Sequence, residues 1–174
     1  AASEPAELPT SLPATAPARG ELVMGEPIEL EVVAPPPLPA PKLADDREFL
    51  RGLLVRPDGG EPAAVKDTHP GDWLAKAGVG DGQAFRLEGY FDVPEDDVYQ
   101  FQVRFAGELA VEVDSAALAV GDRADWQFLP VPLAKGLHRL TVRAKPKGKP
   151  SMSIRFGGPG CTSLDEKRFL HAAP

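Results

Sequence analysis

The sequence holds one cysteine, Cys161, among 174 residues. A single thiol cannot close an internal disulfide or supply a multi-thiolate metal site, so it marks no redox compartment and no zinc centre. It follows Gly157-Gly158-Pro159-Gly160 with no histidine beside it in sequence, and it is read as inert. Histidine is almost as scarce: His69, His138 and His171 are the three, and none stands next to a nucleophile or acid motif. Nucleophilic catalysis needs such groups to converge, so no catalytic residue is assigned and a non-enzymatic role is expected. No apolar stretch approaches the ~20 residues that cross a bilayer as a helix. No Gly-rich loop joins a strand to a helix N-terminus, as phosphate binding requires. Cationic stripes are missing too, and the formal charge of −7 would repel a phosphate backbone, which argues against a nucleic-acid partner. The one basic run, Arg143 to Lys149, is centred on Pro and Gly and reads as a solvated turn.

What the chain has in quantity is turn chemistry, with 20 prolines and 17 glycines lying between apolar runs. Those runs alternate with the two-residue period of half-buried strands. Phe85, Leu87, Gly89, Phe91 and Val93 share one face against Arg86, Glu88, Tyr90 and Asp92. After Pro94-Glu95-Asp96-Asp97 the period resumes with Tyr99, Phe101, Val103 and Phe105, and a third run places Leu109, Val111 and Val113 inward. Three strands with short connections predict a meander. Pro57-Asp58-Gly59-Gly60 predicts a hairpin between 53–56 and 63–66. Trp126 to Leu133 carries Pro130 and Pro132, which confine it to a sheet edge; Trp126 and Phe128 are expected to face inward, with Pro130 shifting the register before Val131 and Leu133. Leu137 to Ala144 and Met152 to Phe156 predict a second hairpin. The expected fold class is all-β, an antiparallel β-sandwich.

Residues 1–19 are rich in Ala, Pro, Ser, Thr and Glu and read as a tether. Glu21 to Val33 reads as a hairpin or terminal strand, either added to the main sandwich or left from a preceding domain. Ala34 to Pro41 reads as a stiff polyproline connector. The expected organisation is a Pro-rich arm, 1–41, followed by a sandwich, 42–174, with a brief helical turn at Asp45 to Leu50. Because the chain begins with Ala1, a mature or excised product whose signal segment is already gone is expected.

The order of pieces resembles the PA14 family of β-sandwich modules, found in toxins, glycosidases and adhesins. The matching pieces are FRLEGYFDVPEDDVYQFQV, LAVEVDS and LPVPLAKGLHRLTVRAKPKGKPSMSIRFGGPG, together spanning roughly 52–170. The resemblance implies a module whose loops bind carbohydrate, in some adhesins through calcium held by two successive aspartates before the Leu-x-Val-Asp strand, and it implies a structural role for His138. Here that stretch reads Phe105-Ala106-Gly107, and these side chains offer none of the oxygens that Ca²⁺ takes. No metal and no cofactor is therefore assigned. The acids Glu95-Asp96-Asp97 sit in a turn, where solvated carboxylates are ordinary.

A sugar site needs an aromatic ring to stack on and polar groups to fix hydroxyls. The long loop 67–82, with one helical turn expected around Trp73 to Ala77, offers Trp73 with Asp72, Lys76 and Asp81, and these are the candidate ligand-binding residues. A plug role for Trp73 against the sandwich edge is the competing reading, and His69 is read as a loop-capping residue. Two functions stay open. One is a carbohydrate-binding or cell-surface adhesion module of an extracellular or cell-envelope protein, as the resemblance implies; the other is an assembly unit that engages a neighbouring protein chain through residues 1–41 by strand addition or linker docking.

Overall fold

The computed structural model describes residues 35–43, 47–69, 71–158 and 168–173. The chain divides between Val33 and Ala34, and the described residues belong to the unit Ala34–Pro174. The expected hairpin at 21–33 and Cys161 lie outside the described residues. In chain order the elements are β1 (Phe49–Arg51), β2 (Leu53–Pro57), β3 (Ala63–Val65), α1 (Trp73–Lys76), β4 (Phe85–Val93), β5 (Asp97–Phe105), β6 (Gly107–Val113), β7 (Ala116–Ala117), β8 (Gln127–Leu133), β9 (Gly136–Pro146), β10 (Met152–Gly157) and β11 (Phe169–Ala172). They form two antiparallel layers. The larger runs β1-β11-β4-β9-β6-β7, with the β2–β3 hairpin also joined to β4; the smaller runs β10-β5-β8.

The β2–β3 hairpin forms as its turn chemistry predicts, but the predicted meander does not. β4 pairs with β9, β2 and β11, whereas β5 pairs with β10 and β8, so consecutive strands lie in opposite layers. The second predicted hairpin fails the same way, since β9 and β10 also belong to different sheets. Alternation specifies that each strand has one apolar face; it does not say whether the next strand lies beside that face or opposite it. A sandwich solves burial by the second route.

Two features mark these crossings. Asp96 Oδ1 accepts the Lys135 N–H at 2.6 Å, tying the β4–β5 connection to the β8–β9 connection. Gly107 starts β6 one residue after β5 ends, at φ 144°, where an added Cβ would lie 2.1 Å from the Lys145 carbonyl oxygen. Only glycine fits there.

The two inner faces meet in an aromatic cluster. Phe91 of the large sheet touches Phe101 and Phe156 of the small one with centroids 5.1 and 4.5 Å apart, and Phe156 also packs on Phe101 at 5.0 Å and Tyr99 at 5.4 Å. All four rings are fully buried. The C-terminal segment contributes as well: Phe169 is fully buried in β11, between β4 and β1. Near the N-terminal side, Arg47 and Glu48 are not helical, and Phe49 with Leu50 already lies in β1, so the helical turn predicted at Asp45 to Leu50 is not formed there. β1 exists because β11 supplies an edge for it to pair with.

Phe156→Ala, removing the ring common to three of these contacts, is expected to destabilise the protein by about 3–5 kcal/mol. Equilibrium denaturation measures this, and a loss within experimental scatter would contradict the cross-layer packing.

Candidate functional site

The long loop is a cover for a sheet edge. Its helix α1 forms at Trp73–Lys76 as predicted, with Lys76 Nζ 3.1 Å from Asp72 Oδ2 one turn earlier. Trp73 is 4% exposed, and its indole N–H donates to the Met152 carbonyl at 2.7 Å. Thr68 Oγ1 donates to the Ile154 carbonyl, the Ile154 N–H reaches the Thr68 carbonyl, and the Met152 N–H reaches the Gly71 carbonyl. The loop therefore satisfies the outer backbone groups of β10, which would otherwise be an open edge. This corrects Trp73 as a stacking platform, because a ring that plugs the sheet presents no face to a sugar. A depression of about 580 Å³ beside it is lined by Asp72, Trp73, Lys76, Asp67 and His69, but Asp81 is not part of its wall. Asp72 and Asp67 pair with Lys76 and Arg51 there.

The other edge of the small sheet is closed by different means. In β8 the outward backbone groups include those of Pro130 and Pro132, which have no N–H to offer an incoming strand. The connector does not run as an isolated spacer at this point. Leu38 bridges Leu133 in parallel, its N–H donating to the Pro132 carbonyl and its carbonyl accepting from Ala134, both at 2.9 Å. In the large sheet the edges β1, β3 and β7 are two or three residues long.

Arginines on the outer face of the large sheet are met by carboxylates of the same face. Arg56, Arg86 and Arg143 line up across β2, β4 and β9. Glu88 receives Arg56, Arg86 and Arg139 at 2.8, 3.3 and 3.6 Å, and Glu112 receives Arg143 at 2.6 Å. Like charges opposite one another are unfavourable, and these carboxylates offset that cost.

His138 is structural. Its ring is fully buried against Phe91, with Nδ1 2.5 Å from Asp114 Oδ2 and Nε2 2.7 Å from the Ala134 carbonyl. Asp114, held with Ser115 at positive φ in the β6–β7 turn, also accepts the Arg139 N–H. Burial lowers the pKa of His138, but the hydrogen bonds to Asp114 and Ala134 and the charges of Asp114 and Asp92 outweigh it, holding the imidazole above 6.5. Among the described residues no group of three or more His, Cys, Asp or Glu gathers as a metal site.

The outer face of the small sheet is different in kind. The register places Arg155, Gln102 and Phe128 in one row, Gly157, Gln100 and Pro130 in the next, and Val98 opposite Pro132. Arg104 faces Ser153, and Trp126 immediately precedes β8 on the same side as Phe128. The prediction that Trp126 and Phe128 face inward is corrected here. Gln127, Leu129, Val131 and Leu133 are the buried set, and Pro130 causes no shift. Phe128 is 59% and Val98 46% exposed, and Trp126 is partly exposed. Along β8, Trp126, Phe128, Pro130 and Pro132 make an apolar line about 20 Å long at ~3.3 Å per residue. Strict parity counted back from Leu133 would have revealed it in the sequence.

The Arg155 guanidinium carbon lies 5.7 Å from the Trp126 ring centroid, and the His69 ring stands 6.1 Å from the same indole. His69 does not cap its loop through Nδ1, since that nitrogen, like Arg155 Nε, is buried without a hydrogen-bond partner.

No family model and no curated protein matches this chain. Solved structures do. One described as an anti-sigma factor domain-containing protein superposes with a TM-score of 0.57 at 14% identity, over 74% of this chain and 51% of that one. A β-glucosidase from Kluyveromyces marxianus, solved in complex with glucose, gives 0.51 at 14% identity, over 66% of this chain and 17% of that one. This chain thus spans about half of the first and a small part of the second. Likeness at this identity establishes a shared β-rich fold.

The His138 arrangement has a pH signature. A pKa raised by folding contributes stability that is complete below the unfolded value near 6.5 and is lost as pH rises through the folded value. Wild-type protein is therefore expected to lose stability above pH 6.5 relative to Asp114→Asn, whose profile should be flatter. Parallel denaturation profiles for the two proteins across that window would contradict the pairing.

Proposed function

We propose that this chain is a non-catalytic, PA14-like binding module of an extracellular or cell-envelope protein, and that it binds carbohydrate on the outer face of the small sheet. The observation that carries the reading is the exposure of Phe128, 59%, on the same side as the partly exposed Trp126 and flanked by Gln100 and Gln102. A strand surface has no internal use for a phenylalanine turned to water; single exposed apolar residues are common, but an ordered line of them on one face is a contact surface. Aromatic faces stack on the apolar side of sugar rings, while neighbouring amides bond hydroxyls. The PA14-like motifs and the sandwich likeness to part of a glucose-complexed β-glucosidase lend support at the level of fold. An open face of three adjacent strands suits a chain of sugars lying along β8 better than one enclosed monosaccharide.

The alternative, an assembly unit that engages a neighbouring chain through residues 1–41, rests on the strand expected at 21–33, which lies outside the described residues; the described edges of the sandwich itself are short, proline-blunted or covered and invite no added strand.

A glycan array followed by titration calorimetry tests the proposal. Phe128→Ala and Trp126→Ala are each expected to weaken binding about tenfold, equivalent to about 1.4 kcal/mol. Phe128→Ala should leave stability within about 0.5 kcal/mol of wild type because the ring is exposed. Unchanged affinity in both variants would sink the assignment of this face.

A further inference from the structure

Resting on the saccharide reading above, we infer that the sugar this face takes carries carboxylates, as a uronic-acid chain does. The chain as a whole is acidic, at −7, yet the strand positions on this face hold Arg104 and Arg155 and no carboxylate. The acids nearest in sequence, Asp97 and Asp125, turn their Oδ1 atoms to the N–H groups of Val98 and Trp126. Arg104 faces Ser153 and so stands diagonal to Arg155, about 7–8 Å away across the strand pair. Among the described residues neither guanidinium meets an acceptor. On the large sheet, by contrast, Arg56, Arg86, Arg139 and Arg143 are all answered by Glu88 or Glu112.

Arg155 is the more telling of the two. It is partly buried, its Nε is shut away from water without a partner, and it lies over the Trp126 indole. Buried polar groups are nearly always satisfied, so a guanidinium in this state calls for an acceptor that the described residues do not supply. Contact with the indole restrains the planar fork, and a planar fork matches the two oxygens of a carboxylate. The neighbouring loop is fixed as well, because Thr68 is bonded to Ile154 on β10 and His69 follows it against Trp126. The result is an aromatic surface with a cation built into it. A neutral sugar would use the rings and leave both arginines unanswered; a uronate uses both.

The test compares oligouronates, for example oligogalacturonate, oligoglucuronate and oligomannuronate, with their fully methyl-esterified forms, which keep the backbone and lose the charge. Each acid that binds is expected to do so about tenfold or more tighter than its ester. That preference should shrink as salt is raised. Arg155→Gln and Arg104→Gln should each reduce the preference, with Arg155→Lys restoring it only in part; Arg104 is exposed, so its variant guards against a folding artefact. Phe128→Ala should weaken acid and ester alike. Equal binding of acid and ester overturns the inference and leaves the saccharide reading standing, as does an array in which only neutral or only sulfated sugars bind. If no glycan of any kind binds, both fall together.

Discussion

The contact of Phe91 with Phe101 and Phe156 across the two layers is the constraint on which the rest of the structure depends. The strands turn most of their apolar residues to one side, so no single sheet can bury what it carries. The chain therefore passes repeatedly between layers, and each passage needs its own local solution: the Asp96 clamp on Lys135, the glycine at Gly107, the positive-φ turn at Asp114 and Ser115. His138 extends the same logic to a polar group. It enters the core because Asp114 and Ala134 meet both ring nitrogens, joining the β6–β7 turn to the β8–β9 turn.

A small sheet of three strands leaves two edges to protect, and the protein treats them unlike one another. Loop 67–82 covers β10, with Trp73 as its anchor, whereas β8 carries prolines and receives Leu38. Once both edges are closed, what the sheet still offers is its outer face. That face is also the place where the sequence departs from ordinary surface chemistry, with aromatics turned outward and arginines that no carboxylate among the described residues answers.

Much of this was legible in the residues. The longer strands, the β2–β3 turn, the short helix at Trp73 and the edge position of the proline-bearing strand all follow from local pattern, whereas β1 and β11 do not. Which strands pair does not, because a period of two fixes faces and leaves partners open. β11 was hidden for a related reason: Phe169 to Ala172 is too short to announce itself, and it is a strand because β4 and β1 lie on either side. The site departs from its sequence pattern at one point of parity: inward Trp126 and Phe128 require a register shift at Pro130, and the strand has none. The long loop points instead to Trp73, whose indole N–H and ring are both spent on holding that loop to Met152.

The chain contains two tryptophans, one buried under the loop and one on the outer face, which makes their fluorescence the most direct test of where the ligand lies. With a binding saccharide in hand, emission is followed during titration of Trp73→Phe, which reports Trp126 alone, and of Trp126→Phe, which reports Trp73 alone. The account predicts a saturable change in the first protein and none in the second. A response that follows Trp73 instead would contradict it.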